Sequence, residues 1–156
     1  MSKISTKPTK ELNAEDIAEY FLSLADSEAG EAISNLKLQK LCYYAQGFHL
    51  AIYKKPLFSE KIEAWQHGPV IPVLYHKYKT FGNKGIDQPD PAKFDLEKYP
   101  KEIRDLLEEI YTVYGQYSAW KLRDLTHDEL PWKEAYEKGS DISHTSMKDF
   151  FSTLVK

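Results

Sequence analysis

Asn35-Leu-Lys-Leu-Gln-Lys-Leu-Cys-Tyr-Tyr-Ala-Gln-Gly-Phe-His-Leu-Ala-Ile-Tyr53 runs without a proline until Pro56, long enough for five turns of helix. Ser34 or Asn35 supplies a cap at its start. At about 100° per residue, Leu38, Leu41, Cys42, Ala45, His49 and Ile52 fall on one stripe. Tyr43 and Leu50 lie well round the cylinder, and Tyr44 and Phe48 flank the other side. Only a narrow strip with Lys40, Gly47 and Lys54 stays polar or small. A helix that is apolar on so much of its circumference is buried on more than one side. Gly47 costs about 1 kcal/mol against Ala within a helix, so its presence points to close approach by another backbone. This is the expected central helix, and the rest of the chain must cover it.

The covering elements read as further helices. Asn13 with Asp16 forms a capping arrangement ahead of Ile17, Tyr20, Phe21 and Leu24, with Gly30 as the stop. Periodicity fails from Leu57 to Val73, where Ile62-Glu-Ala-Trp65 reads as a short extended piece and Gly68-Pro69 as a turn. Pro72 opens a helix with Leu74, Tyr75, Tyr78 and Phe81, ending at Gly82. Residues 83–100 form a long surface loop with a short strand or turn near Phe94. Residues 101–114 are amphipathic, with Ile103, Leu106, Leu107, Ile110, Val113 and Tyr114 on one face. Ser118 caps a helix with Ala119, Trp120, Leu122 and Leu125. Pro131 opens one with Trp132, Ala135 and Tyr136 that stops at Gly139, and Ser146 starts the last, with Met147, Phe150, Phe151 and Leu154. The expected architecture is mainly α: a single compact domain over 13–156 of about seven helices, with at most a small β element near residues 58–66. Residues 1–12 read as a flexible polar arm.

Composition narrows the function classes. The chain has 156 residues, 42% hydrophobic and 29% charged, the balance of a globular domain. A net charge of −3 argues against a dedicated nucleic-acid binder. No apolar run reaches the roughly 20 residues of a membrane helix, and the N-terminal stretch lacks a secretory pattern. The single Cys42 excludes an intrachain disulfide and points to a reducing, cytoplasmic setting. Eleven tyrosines among 21 aromatics are more than a core of this size needs; Tyr and Trp are enriched where one protein grips another.

Catalytic constellations are weak. His49, His67, His76, His127, His144 and Cys42 fall into no metal-ligand spacing, so no metal and no cofactor is expected. Cys42 in mid-helix reads as an inert buried thiol. His127-Asp128-Glu129 resembles an acid–base cluster, yet His127 also stands at a helix end where a cation is favoured by the dipole. The helices at 119–126 and 131–138 mimic helix–turn–helix, but Lys133 and Lys138 are balanced by Glu134 and Glu137.

Three segments in order carry a family resemblance: Lys37-Leu-Gln-Lys-Leu-Cys-Tyr-Tyr-Ala-Gln-Gly47, Ala64-Trp-Gln-His-Gly-Pro-Val-Ile-Pro-Val-Leu-Tyr75 and Leu125-Thr-His-Asp-Glu-Leu-Pro-Trp132. Together they resemble the Panacea antitoxin domain, also called SocA-like and first noted in phage-associated proteins. The resemblance spans about residues 15–140. It implies a helical, non-enzymatic protein that neutralises a cognate toxin encoded by a neighbouring gene, through direct protein–protein binding. Partner toxins in the family range from alarmone-synthetase-like enzymes to membrane-active peptides. At least one relative acts instead as an adaptor that delivers its toxin to a protease. Some members add a DNA-binding domain; this chain ends soon after the shared region, so promoter binding is not expected.

The positions that match the motifs are Leu38, Leu41, Tyr43 and Ala45, then Trp65, Gly68, Pro69, Val70 and Tyr75, then Thr126, His127, Pro131 and Trp132. The candidate partner-binding or fold-defining residues are Tyr43, Trp65, His67, Gly68, Pro69, Tyr75, Tyr78, His127 and Trp132. Either they shape the fold or the Gly68 turn and the His127 loop meet at one receiving surface. A proteolytic adaptor and a small enzyme using His127 and Asp128 are the alternatives, and homo-oligomerisation stays open.

Overall fold

The computed structural model describes residues 11–25 and 32–155. Seven α-helices occur among them: α1 (Ala14–Leu24), α2 (Asn35–Tyr53), α3 (Pro72–Tyr78), α4 (Lys101–Tyr114), α5 (Ala119–His127), α6 (Leu130–Lys138) and α7 (His144–Ser152). Strands β1 (Glu63–Trp65) and β2 (Gly68–Val70) form an antiparallel hairpin, with Ala64 opposite Pro69. The β element begins where the sequence places it and runs on through Val70. The all-helical class with one small sheet is as expected.

Starts of helices follow the capping chemistry. Asn13 and Asp16 form a full capping box on α1, and Ser34 and Ser118 cap α2 and α5. Helix α7 departs from expectation: Ser143, not Ser146, is its cap, accepting from the Ser146 amide at 3.0 Å. The last helix therefore begins about one turn earlier. Helix α1 ends at Leu24, and the expected stop at Gly30 lies outside the described residues. Most of the expected arm at 1–12 also lies outside them, while Leu12 packs against the core.

Helix α2 is the axis of the core, packed by α1, α3, α4, α5, α7 and β2. Leu38, Leu41, Cys42, Tyr43, Tyr44 and Ala45 are fully buried, and His49 is nearly so. Two details of the expected stripe change. Ile52 is exposed, and Lys40, placed on the polar strip, is 0% exposed. Gly47 does mark a close approach, but of a ring rather than a backbone: a Cβ there would overlap Phe151 of α7. Helix α7 has the most extensive packing against α2 of any element. Phe151 also meets Tyr43, Tyr44 and Phe48 edge-on.

Buried polar side chains of α2 hold the irregular segments. Gln39 accepts from the Ile71 amide at 2.8 Å, fixing the hairpin exit. Two turns on, Gln46 accepts from Leu57 N at 2.7 Å and donates to Phe58 O at 2.8 Å. These bonds satisfy backbone groups that burial would otherwise orphan. The 83–100 segment lies on the surface but is pinned: Ile86 N bonds Ile33 O at 2.8 Å, and buried Tyr99 donates to Asp16 O at 2.7 Å. Near Phe94 there is a turn and a 3₁₀ stretch (Leu96–Lys98) but no strand. Val113, Trp120 and Tyr136 are exposed at the edge of the buried faces of the outer helices, and Leu154, expected on the last helix, is exposed just beyond the end of α7.

Candidate functional site

The three quoted segments converge. Helix α2 lies beneath the hairpin, β2 packs on α5, and the turn from α5 to α6 returns over α2 and β1. Trp132 of α6 donates its indole N–H to Trp65 O at 2.8 Å, hooking α6 to the hairpin. Trp65 donates to Glu63 Oε1 at 2.8 Å and meets Tyr75 edge-on at 5.0 Å. The bonds from Trp65 and Lys61 hold the Glu63 carboxyl below its usual range.

Gly68 is the tight point. Its φ of +111° is a region that side-chain-bearing residues rarely adopt. A Cβ there would stand 2.7 Å from Lys40 Cε and 2.9 Å from Thr126 Oγ1. The hairpin thus rests directly on the Lys40 stem. Lys40 Nζ has no hydrogen-bond partner among the described residues. Burial, with the positive Arg123 nearby, pushes its ammonium down to about 7.

His127, the last residue of α5, stacks face to face on Trp132 at 4.0 Å, and Trp132 stacks on Tyr136 at 4.6 Å. The His127 Nε2 is buried without a hydrogen-bond partner among the described residues. Its position at a helix end raised the expectation of a dipole-favoured cation. Instead burial and then Arg123 lower its proton affinity, outweighing the Gln66 carbonyl beside it. The neutral ring is the stacking form.

Glu129, in the turn between α5 and α6, is the third unusual ionisable group. Its Oε1 accepts from Tyr43 at 3.0 Å and its Oε2 from Tyr44 at 2.8 Å. Burial pushes the carboxyl up to about 7, although both tyrosine bonds pull it down. Burial and the facing Glu129 drive both phenols well above their usual range.

Outward of these lies an exposed cluster. Arg123 donates Nε–H to His67 Nδ1 at 3.3 Å and sits over the Trp120 ring at 5.2 Å. Trp120 is 58% exposed, an unusual position for an indole, with the His67 ring and the Arg123 guanidinium against it. Among the nine candidate positions, Tyr43, Gly68, Pro69, Tyr78 and Trp132 are buried, Trp65, Tyr75 and His127 half-buried, and His67 exposed. All but Tyr78 adjoin the convergence; Tyr78 packs at the end of α3 against Phe81. Sequence reading passed over Lys40, Arg123 and Glu129 as site residues. A signal for Lys40 was present: it shares its strip with Gly47, so a neighbour close at Gly47 implies cover at Lys40 as well. Cys42 is buried with its thiol pushed up, and His49 Nδ1 lies 2.7 Å from Lys55 O. Among the described residues, no group of three His, Cys, Asp or Glu side chains could hold a metal, and no helix is long and apolar enough to cross a membrane.

A domain of three converging segments around a buried lysine and a tyrosine-bound carboxyl matches a family model described as antitoxin SocA-like, Panacea domain, over residues 38–133. The chain belongs to this family. It is 30% identical over 136 residues to "Antitoxin SocA" of Caulobacter vibrioides (strain NA1000 / CB15N), covering 81% of this chain and 72% of that protein. No solved structure matches it.

Proposed function

We propose that this protein is an antitoxin that neutralises a toxin from a neighbouring gene by binding it directly, without covalent chemistry. The observation that carries the reading is the position of the family segments. They meet at one face where exposed Trp120 and His67 and half-buried Arg123 stand beside the His127–Trp132–Tyr136 stack. Trp, Tyr and Arg over a rigid support are the residue types of interface hot spots. Helices α5 and α6 and the hairpin are mutually braced, so this face is preorganised and loses little entropy on docking. Capping the toxin's active surface then requires only shape and charge. The setting consistent with this role is the cytoplasm.

Co-expression with the product of the adjacent gene tests the reading. Growth rescue and a co-purifying complex are the expected results, and Trp120→Ala is expected to weaken both in a protein that melts normally. A neighbour that is toxic and is neither rescued nor bound would exclude the antitoxin role. A neighbour protein that disappears from wild-type cells, but persists in protease-deficient ones, would replace blocking with proteolytic delivery.

A further inference from the structure

The interior beneath the hairpin holds an amine donor without a matching acceptor. Lys40 is 0% exposed and its Nζ has no hydrogen-bond partner among the described residues; the same is true of the buried His127 Nε2. Arg123 stands close enough to both to oppose their protonation. The nearby carboxylates are already engaged or lie outside. Glu129 is held by Tyr43 and Tyr44, while Asp124 takes the Arg123 Nη1 bond at 3.1 Å and is exposed, as is Asp128. Thr126 donates its hydroxyl proton to Arg123 O at 2.8 Å, and its oxygen forms no hydrogen bond with Lys40 Nζ. A buried amine beside a like charge is costly, and nothing in the fold requires it, since an apolar side chain of the same length would support Gly68 equally well. An unmatched donor held at such cost fits an acceptor that arrives from outside.

We infer that Lys40 and Arg123 form a receptor for one carboxylate, presented by an acidic side chain of a protein partner. This deepens the antitoxin reading and rests on it. A planar carboxylate matches the guanidinium edge in a two-point bond. The space under Gly68 admits no methyl group without displacement, so the turn must move before any anion reaches Lys40. The exposed Asp124 and Asp128 and a net charge of −3 repel polyanions. Beside the hairpin and the His127–Trp132 stack, Trp120 and Tyr136 are exposed, so the carboxylate is flanked by apolar residues in its own chain. The Gln66–His67 turn is exposed and forms the roof; it yields as the carboxylate replaces His67 on Arg123 and meets Lys40.

The test is an amide-resolved NMR titration of the isolated full-length protein with the blocked peptide Ac-Leu-Glu-Phe-NH2, its Gln counterpart and inorganic phosphate. The expected result is that the Glu peptide moves the Gly68, Thr126 and His127 amides. The Gln peptide should bind at least tenfold more weakly, and Lys40→Met and Arg123→Gln should abolish the response while keeping the dispersed spectrum of a folded chain. An unperturbed spectrum, Lys40→Met binding as tightly as wild type, or phosphate binding more tightly than the Glu peptide would each overturn the assignment. None of these readouts involves the toxin. Peptide binding without growth rescue removes the antitoxin reading, whereas rescue by Lys40→Met with full complex formation removes only the carboxylate receptor.

Discussion

Burial moves two ionisable side chains at the junction of α2 with the α5–α6 turn to about 7 from opposite directions: Lys40 from 10.5 and Glu129 from 4.5. The groups nearest Lys40 in charge are Arg123 and His127, and Asp128 is nearest to Glu129. For Glu129 the folded state holds its proton between pH 4.5 and 7 while the unfolded chain has lost it, so stability falls as pH rises through that window. For Lys40 the unfolded chain holds the proton between pH 7 and 10.5 and the folded state does not, so stability rises with pH there. The two contributions together predict a shallow minimum near neutral pH. Chemical denaturation at a series of pH values checks it: Glu129→Gln should flatten the acid limb, and Lys40→Met the alkaline one. At pH 7 Lys40→Met should also raise the unfolding free energy by roughly 1–3 kcal/mol, the usual cost of an unsatisfied buried polar group. A lowered melting temperature in that variant would show that the amine has a stabilising partner after all.

Single elements carry the next predictions. Helix α6 is anchored through Trp132, whose ring is 9% exposed, stacked on His127 and bonded to Trp65. Trp132→Ala should cost roughly 3–5 kcal/mol, measurable as a shifted urea midpoint. Trp65, only half-buried, should cost less on the same scale. Gly47→Leu would drive a side chain into Phe151 and should destabilise the α2–α7 contact by roughly 1–3 kcal/mol or more. The double variant Gly47→Leu with Phe151→Ala should lose less than the sum of the two single changes, because the ring that clashes is gone. At this scale most of the structure was readable. Proline, glycine and capping residues punctuate every helix, and the 3.6-residue period identifies most of the buried faces. What escaped was long-range. A helical wheel cannot show that β2 lands on Lys40, that α7 fills the notch at Gly47, or that Glu129 finds two tyrosines 85 and 86 residues earlier. Ser143 escaped for a local reason: Ser143, Thr145 and Ser146 all offer cap oxygens, and only packing of Met147 and Phe151 selects among them.

For the whole molecule, the family segments build both the support and the face it presents. Buried positions such as Tyr43, Gly68 and Trp132 lock α2, the hairpin and α6 together, and His67, Arg123 and Trp120 project from the same block. The candidate residues named from sequence are accordingly mostly supporting. The projecting ones, Arg123 and Trp120, come from α5, just ahead of the third segment, where no motif drew attention. A groove of about 630 Å³ lined by His49, Tyr53, Phe58, Pro100 and Ile103 lies at the far end of α2, away from all three segments. Substitution of Tyr53 by Ala is therefore expected to leave complex formation with the adjacent gene's product unchanged, while Trp120→Ala weakens it; size-exclusion co-elution distinguishes the two.

The Phe151 ring in the Gly47 notch also sets an order of events during biosynthesis. Helix α2 leaves the ribosome early, yet the side chain that covers its central glycine is encoded about a hundred codons later. At ordinary translation speeds, roughly 5–20 s separate the two. For that interval Tyr43, Tyr44 and Phe48 face the crowded cell without their lid, and a nascent chain in that state is a natural client for a holdase chaperone. Supply of the mature protein would then depend on how promptly each newly made molecule is shielded and completed, as well as on how stable it is once finished.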